Sequence, residues 1–252
     1  MRKKSWPQCA ICHVKEKVCM SREGRGPKLC PTKIEEKKVK KALEKYRIGG
    51  IMAFAKAASL QEAECYIKRD ERPFVLRPVK TRVEETIEFA KRMGYRTLGV
   101  AFCAGLFSEG KTFVNILEKQ GFNVVSVCCK VGGVPKEFLD LRDDEKVRVG
   151  SYETMCNPIT QAELMNEAET DFNVLIGLCI GHDSLFLKHA KALTTVLVVK
   201  DRVLGHNPVA ALYGTNVYFQ RLINPKGKER VEKTPKKRRE MVPTQDGAKG
   251  DY

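Results

Sequence analysis

The sequence predicts an α/β fold: a parallel sheet of about four strands with helices on both faces, preceded by a Cys-rich metal-binding segment and two helices. Three observations lead there. Four short apolar runs, Thr97–Phe102, Asn123–Cys128, Asn173–Leu178 and Thr194–Val199, are continuous rather than alternating, as in strands covered on both faces. Segments with helical caps or helical spacing stand between them. Ahead of all this lies a polar stretch holding Cys9, Cys12, Cys19 and Cys30.

Taken in order, residues 1–31 are rich in Cys, Gly and Lys and too poor in apolar side chains to bury a core, so a metal or the main body must order them. Thr32 and Glu35 read as a capping box opening a helix that Gly49 and Gly50 end. A second, Ala-rich helix is expected from about Ile51 to Asp70, with Cys65 inside it, and residues 72–80 with Pro73 and Pro78 as a connector. Thr81 and Glu84 form another capping box, followed by Val83, Ile87 and Ala90 at helical spacing. The first strand, Thr97–Phe102, leads to a helix expected from about Glu109 to Gln120, and the second strand follows. Residues 131–150 read mostly as loop. Asn157 and Pro158 supply a cap and a proline at the first helical position. A short helix is expected from about Ser184 to Lys191, between the third and fourth strands. Residues 225–252 are Pro-, Lys- and Arg-rich and read as a disordered basic tail. The organisation expected is therefore 1–31 metal-binding segment, 32–224 helical lead-in and α/β domain, and 225–252 tail.

The formal net charge of +15 is concentrated at the two ends, while the body is close to neutral. Basic ends suit nucleic acid or an acidic partner protein, or simply a solvated surface. No apolar run approaches the ~20 residues that span a bilayer. No secretory signal is recognisable, so a cytoplasmic protein is expected, where the ten cysteines serve as ligands or reactive thiols rather than as bridges.

Two groups of these cysteines point to chemistry. Cys9-x2-Cys12 is the close bite of a tetrahedral metal site, and Cys19 and Cys30 complete four thiolates. The spacing is not that of a zinc ribbon, and Cys30-Pro31 matches the habit of iron–sulfur segments, so both a [4Fe–4S] cluster and Zn²⁺ are open. His13 is a substitute ligand. The second group stands where the strands end, which is where ligands bind in parallel sheets: Cys103, then Cys128 and Cys129, then Cys179 with His182, then Asp201 with His206. Cys156 precedes the Asn157 cap, where a helix start favours thiolate. Cys103, Cys129, Cys156, Cys179, His182 and His206 are therefore candidates for one metal or redox cleft, with Cys156, Cys179 and His182 as catalytic candidates. Cys129 is preferred to Cys128, because neighbouring strand residues face opposite ways. A lone strand cysteine is as readily a small core residue. His189 reads as structural.

Gly105 to Thr112 also spells G-x4-G-K-T between a strand and a helix, the pattern of a phosphate loop. Leu106, Phe107 and Glu109 put apolar bulk and negative charge where backbone must wrap an anion, which weakens the match.

With these residues in view, the chain resembles an uncharacterised family of bacterial and archaeal cysteine-rich proteins described as metal-binding, a domain of unknown function. The resemblance runs from Cys9 to Tyr213. It rests on Cys9-x2-Cys12, Cys30-Pro31, Phe102-Cys103-Ala-Gly-Leu106, Cys129-Lys-Val-Gly132, Met155-Cys-Asn-Pro-Ile159 with Gln161-Ala-Glu-Leu164, Gly177-Leu-Cys-Ile-Gly-His-Asp-Ser-Leu185 and Lys200-Asp-Arg-Val-Leu-Gly-His-Asn-Pro-Val209. It implies metal binding without an assigned reaction, and it lowers the standing of the phosphate loop. The expectation is a metal-binding protein, iron–sulfur or zinc, with redox or sulfur chemistry at the strand ends. The alternatives are a phosphate-loop nucleotide-binding protein and a non-enzymatic, zinc-stabilised interaction module.

Overall fold

A computed structural model describes residues 7–224. The tail expected over 225–252 lies outside them. The described residues fall into two compact units that part between Val198 and Val199.

The first unit opens with a turn at Cys9–Ile11, a four-residue helix α1 (Pro31–Ile34) and helix α2 (Glu36–Lys45). The capping box expected at Thr32 and Glu35 is absent. Cys30 and Pro31 start the helix instead, Glu35 steps out of helical geometry, and its carboxylate pairs with Lys38 at 2.7 Å rather than reaching back. Helix α3 (Ile51–Glu64) stops short of the expected Asp70. Cys65 leaves the helix there because its carbonyl accepts the Val79 N–H at 2.8 Å, which starts a two-stranded antiparallel ribbon of β1 (Tyr66–Ile67) and β2 (Arg77–Pro78).

Helix α4 (Arg82–Arg92) carries the full Thr81–Glu84 capping box, with acidic residues in its first turn and basic ones in its last. Then come β3 (Thr97–Phe102), α5 (Phe107–Lys119), β4 (Asn123–Cys128), α6 (Pro158–Glu167), β5 (Phe172–Ile176), α7 (His182–His189) and β6 (Thr194–Val198). The third strand ends at Ile176 rather than Leu178, because Gly177 turns with φ +61°, a conformation side chains resist. The second unit holds a loop from Val199 and helix α8 (Val209–Tyr213).

The four long strands form one parallel sheet in the order β4-β3-β5-β6. The chain leaves β3 toward β4, then crosses back to β5 on the other side. Right-handed crossovers put α5 on one face and α6 with α7 on the other. The ends of β3 and β5 therefore flank the switch point, where open α/β sheets bind ligands. Between the layers, Leu98, Val100, Leu117, Met165, Val174, Leu175, Ile176 and Phe186 are almost fully buried. Each large side chain contributes about 2–3 kcal/mol by leaving water.

Gly99 sits in central strand β3 for a packing reason. A Cβ there would lie 2.1 Å from Asn173 Oδ1 and 2.7 Å from Met165 Sδ. Asn173 is fully buried, and its Oδ1 accepts the Thr170 hydroxyl at 2.8 Å. Gly99→Ala is expected to cost about 1–3 kcal/mol through overpacking, or about 2–12 °C in melting temperature for a unit of this size. A variant that melts with the parent by calorimetry would mean Asn173 swings aside at no cost.

Candidate functional site

Backbone hydrogen bonds bring two of the strand-end cysteines and Cys156 together. Cys103 N–H donates to the Ile176 carbonyl at 3.0 Å, extending the β3–β5 ladder by one rung. Cys129 N–H donates to the Phe102 carbonyl at 2.9 Å, extending β3–β4 the same way. Asn157 N–H donates to the Cys129 carbonyl at 2.8 Å, which hangs Cys156 beside the sheet edge. Asn157 then caps α6 by accepting the Thr160 N–H at 3.2 Å.

Of the three thiols, Cys129 is hydrogen-bonded to both others. Cys129 Sγ lies 3.8 Å from Cys156 Sγ, shares a side-chain hydrogen bond with Cys103, and accepts the Ala104 N–H at 3.3 Å. Cys103 and Cys129 are buried, whereas Cys156 is partly open to solvent. The pair divides its proton unequally. The Cys156 thiol is lowered to about 6, first by the hydrogen bond from Cys129, then by the electrostatic influence of Lys130 and of His182, against the opposing effect of burial. Cys129 is pushed far up, by its contacts with Cys103 and Cys156 and then by burial. With Cys156 ionised, the Cys129 S–H is the donor between them.

Gln161 and Lys130, which carried little weight in the sequence, support this arrangement, as does the candidate His182. Gln161 is fully buried on α6, and its Nε2 donates to the Phe102 carbonyl at 3.3 Å and the Val127 carbonyl at 2.7 Å. It thereby ties the ends of β3 and β4, from which Cys103 and Cys129 project. Lys130 is held in place by the Thr154 carbonyl. His182 opens α7, and its Nδ1 is enclosed without a hydrogen-bond partner among the described residues. Gln161, the fourth residue of α6, entered the sequence reading only within the string Gln161-Ala-Glu-Leu164.

The other candidates go elsewhere or contribute differently. What the β5–α7 turn takes from Cys179 is its carbonyl, which accepts the His182 and Asp183 N–H groups. His206 lies in the second unit, at φ +67°, where its Nδ1 accepts the Asp201 N–H at 3.1 Å and Asp201 in turn accepts from Val203 and Leu204. That makes a self-contained turn. Cys128, last in β4, packs partly against the core. Cys65 is buried in the cavity between α3 and α4, its S–H shared between Glu85 and the Gln61 carbonyl.

The G-x4-G-K-T stretch does not form a loop. Ala104–Leu106 is a tight turn and α5 begins at Phe107, so Ser108, Glu109, Gly110, Lys111 and Thr112 are all helical. Phe107 packs edge-on to Phe102 at 4.9 Å, Gly110 lies against the same ring, and Thr112 spends its hydroxyl on the Ser108 carbonyl. The wrapped backbone that cradles a phosphate is missing.

At the N-terminus, Cys9, Cys12, Cys19 and Cys30 line one cavity of about 380 Å³ together with His13. The cavity wall contains no carboxylate and carries the cations Lys17, Arg25 and Lys28. Among the described residues, no group of three or more His, Cys, Asp or Glu stands in an arrangement that could hold a metal ion as it is. Ligation therefore requires the thiols to draw inward. A crossover of Arg25 to Glu16 and Val18 holds the segment's middle, and no residue of it is buried.

Among the described residues no helix is long and apolar enough to cross a membrane. A family model described as a protein of unknown function (DUF1847) matches residues 30–197. That span takes in Cys103, Cys129, Cys156 and His182, and Cys30 alone of the N-terminal four. An uncharacterized protein of Methanocaldococcus jannaschii, MJ0455, is 45% identical over 201 residues, covering 79% of this chain and 96% of that protein.

Proposed function

We propose, for a chain that belongs to the DUF1847 family, that it is a metal-binding thiol protein with redox chemistry at the switch point of its sheet. One observation carries the redox reading: two sulfurs 3.8 Å apart, Cys156 favoured as thiolate and Cys129 as thiol. A thiolate beside a protonated thiol is the arrangement of a nucleophile and its resolving partner.

The burial of Cys103 and Cys129 leaves Cys156 as the accessible sulfur, which suits a small electrophile such as a hydroperoxide. The Cys156 thiolate attacks the peroxide, the O–O bond breaks, Cys156 becomes a sulfenic acid, and the departing alkoxide takes a proton from water. Cys129 sulfur then attacks the sulfenic sulfur. Its proton leaves with the hydroxide as water, and a Cys129–Cys156 disulfide remains.

The donor set at the N-terminus supports the metal reading. Cys9, Cys12, Cys19 and Cys30 would hold Zn²⁺ or a [4Fe–4S] cluster, and the neighbouring cations offset the charge of four thiolates. Zinc would order a segment that buries nothing of its own, and a cluster would supply single electrons.

One equivalent of hydrogen peroxide is expected to consume two thiols of the strand-end cluster, one of them Cys129. In Cys129→Ser it is expected to leave a sulfenic acid on Cys156 that dimedone traps. Thiol loss confined to the N-terminal four would defeat the redox reading.

One observation favours a second reading, the zinc-stabilised interaction module. Helix α2 buries none of its residues, and Val39, Leu43 and Tyr46 stand exposed along one side of it and its C-cap among lysines. Such a basic, amphipathic helix suits an acidic partner with apolar anchors.

A further inference from the structure

A redox pair uses two thiols, and this cluster holds three. We propose that Cys103 is the acceptor of a thiol relay: it takes the disulfide over from Cys156, so that Cys103–Cys129 is the final oxidised form and Cys156 is returned free. The proposal rests on the redox reading of Cys129 and Cys156 given above.

Strand register makes the Cys103–Cys129 bond sterically available. Phe102 and Cys128 are partners in the β3–β4 ladder, and the Cys129 N–H to Phe102 carbonyl bond carries the ladder one residue further. Cys103 and Cys129 are thus the next rung of two adjacent parallel strands. Neighbouring strands run about 4.8 Å apart, inside the range of roughly 4.4–6.8 Å between Cα atoms that a disulfide bridges. Ladder partners point to the same face of the sheet, and the two thiols are already in hydrogen-bond contact.

Cys129 occupies the only position that this exchange demands, next to both other sulfurs. Cys103 and Cys156 need never meet. The Ala104 N–H on Cys129 Sγ holds the attacked sulfur in place between them.

The exchange balances without an oxidant. Cys103 gives its proton to water, its sulfur bonds to Cys129 Sγ, the Cys129–Cys156 bond breaks, and the electron pair departs on Cys156 as thiolate. The less basic thiolate leaves faster, and Cys156 departs into the field of Lys130, His182 and the α6 N-terminus. The bridge therefore moves inward, onto the buried pair, while the accessible sulfur is freed to meet a second electrophile.

The measurement is disulfide mapping of the full-length protein after one equivalent of hydrogen peroxide, an acid quench and N-ethylmaleimide. Trypsin separates the three cysteines, because Lys111 lies between Cys103 and Cys129 and Arg148 between Cys129 and Cys156. In the parent, Cys103 is expected bridged to Cys129, with Cys156 fully labelled by N-ethylmaleimide. In Cys103→Ser the bridge is expected at Cys129–Cys156, with labelling of Cys156 lost. Cys103→Ala, which removes the thiol without adding bulk, is expected to behave as Cys103→Ser does. A parent whose final bridge is Cys129–Cys156 overturns the relay while leaving the redox pair intact. A parent with no bridge among the three overturns both.

Discussion

Alkylation of Cys156 by iodoacetamide is expected to be half-maximal near pH 6 and flat above about pH 7. An ordinary thiol would still be climbing through pH 8.5. The sign follows from the lowered thiol: below its pKa the proton returns and reactivity falls about tenfold per pH unit, whereas above it nothing more is gained. The size of the effect is less obvious, because a less basic thiolate is also a weaker nucleophile. With a Brønsted slope of about 0.4–0.5, lowering the pKa from about 8.5 to about 6 costs roughly 10–18-fold in intrinsic reactivity. At pH 7 the thiolate fraction rises about 30-fold, which leaves a net gain of only about two- to threefold. At pH 6 the fraction rises about 160-fold, and the net gain is about tenfold. Selectivity for Cys156 over the other cysteines should therefore sharpen on acidification. Cys156→Ser should remove this phase entirely, and Lys130→Ala should move its midpoint upward by withdrawing a cation that now holds the thiolate. A midpoint at pH 8 or above in the parent would show that Cys129 does not share its proton as the geometry requires.

This proton sharing was only half legible in the amino-acid sequence. Local pattern located the sheet: the apolar runs Thr97–Phe102 and Asn123–Cys128 coincide with β3 and β4, and Asn157 with Pro158 opens α6. These are short-range effects of burial and capping, which a chain carries in its order of residues. Strand-end logic then gathered more residues than one site can use. It drew in His206 because His206 follows a strand, but a turn of left-handed backbone spends that imidazole on the Asp201 amide. It said nothing of Gln161, because a polar side chain inside a core is intelligible only once the carbonyls of Phe102 and Val127 stand opposite it. The capping box at Thr32 failed for a related reason: Lys38 competes for the Glu35 carboxylate. The glycine–lysine–threonine string failed because packing of Leu106 and Phe107 starts α5 too early for a loop to exist. In each case the residue type was read correctly, and a partner that the pattern did not name decided its use.

Anaerobically purified protein is expected to carry one zinc ion or one iron–sulfur cluster per chain, and Cys9→Ser with Cys30→Ser is expected to lose it completely. Cys156→Ser should retain it. The effect should be large because the described contacts of the segment oppose its unfolding only weakly. Residues 7–30 bury no side chain, and the described contacts that hold them are short-range backbone bonds such as Arg25 to Glu16 and Val18. Ligation by four thiolates supplies about 10–16 kcal/mol for a structural zinc in small peptides near pH 7, far more than a few exposed hydrogen bonds of about 1 kcal/mol each. Amide hydrogen exchange should therefore be slow across residues 7–30 in the metal-loaded parent and fast in the double variant. Exchange in β3 and β5 should stay slow in both, since Leu98, Val100, Val174 and Leu175 are buried in a core remote in sequence from the four cysteines. Metal content equal in parent and double variant would place the ion elsewhere in the chain. Slow exchange across residues 7–30 in metal-free protein would mean that the segment is ordered by packing alone, and that the shared cavity of the four sulfurs is incidental.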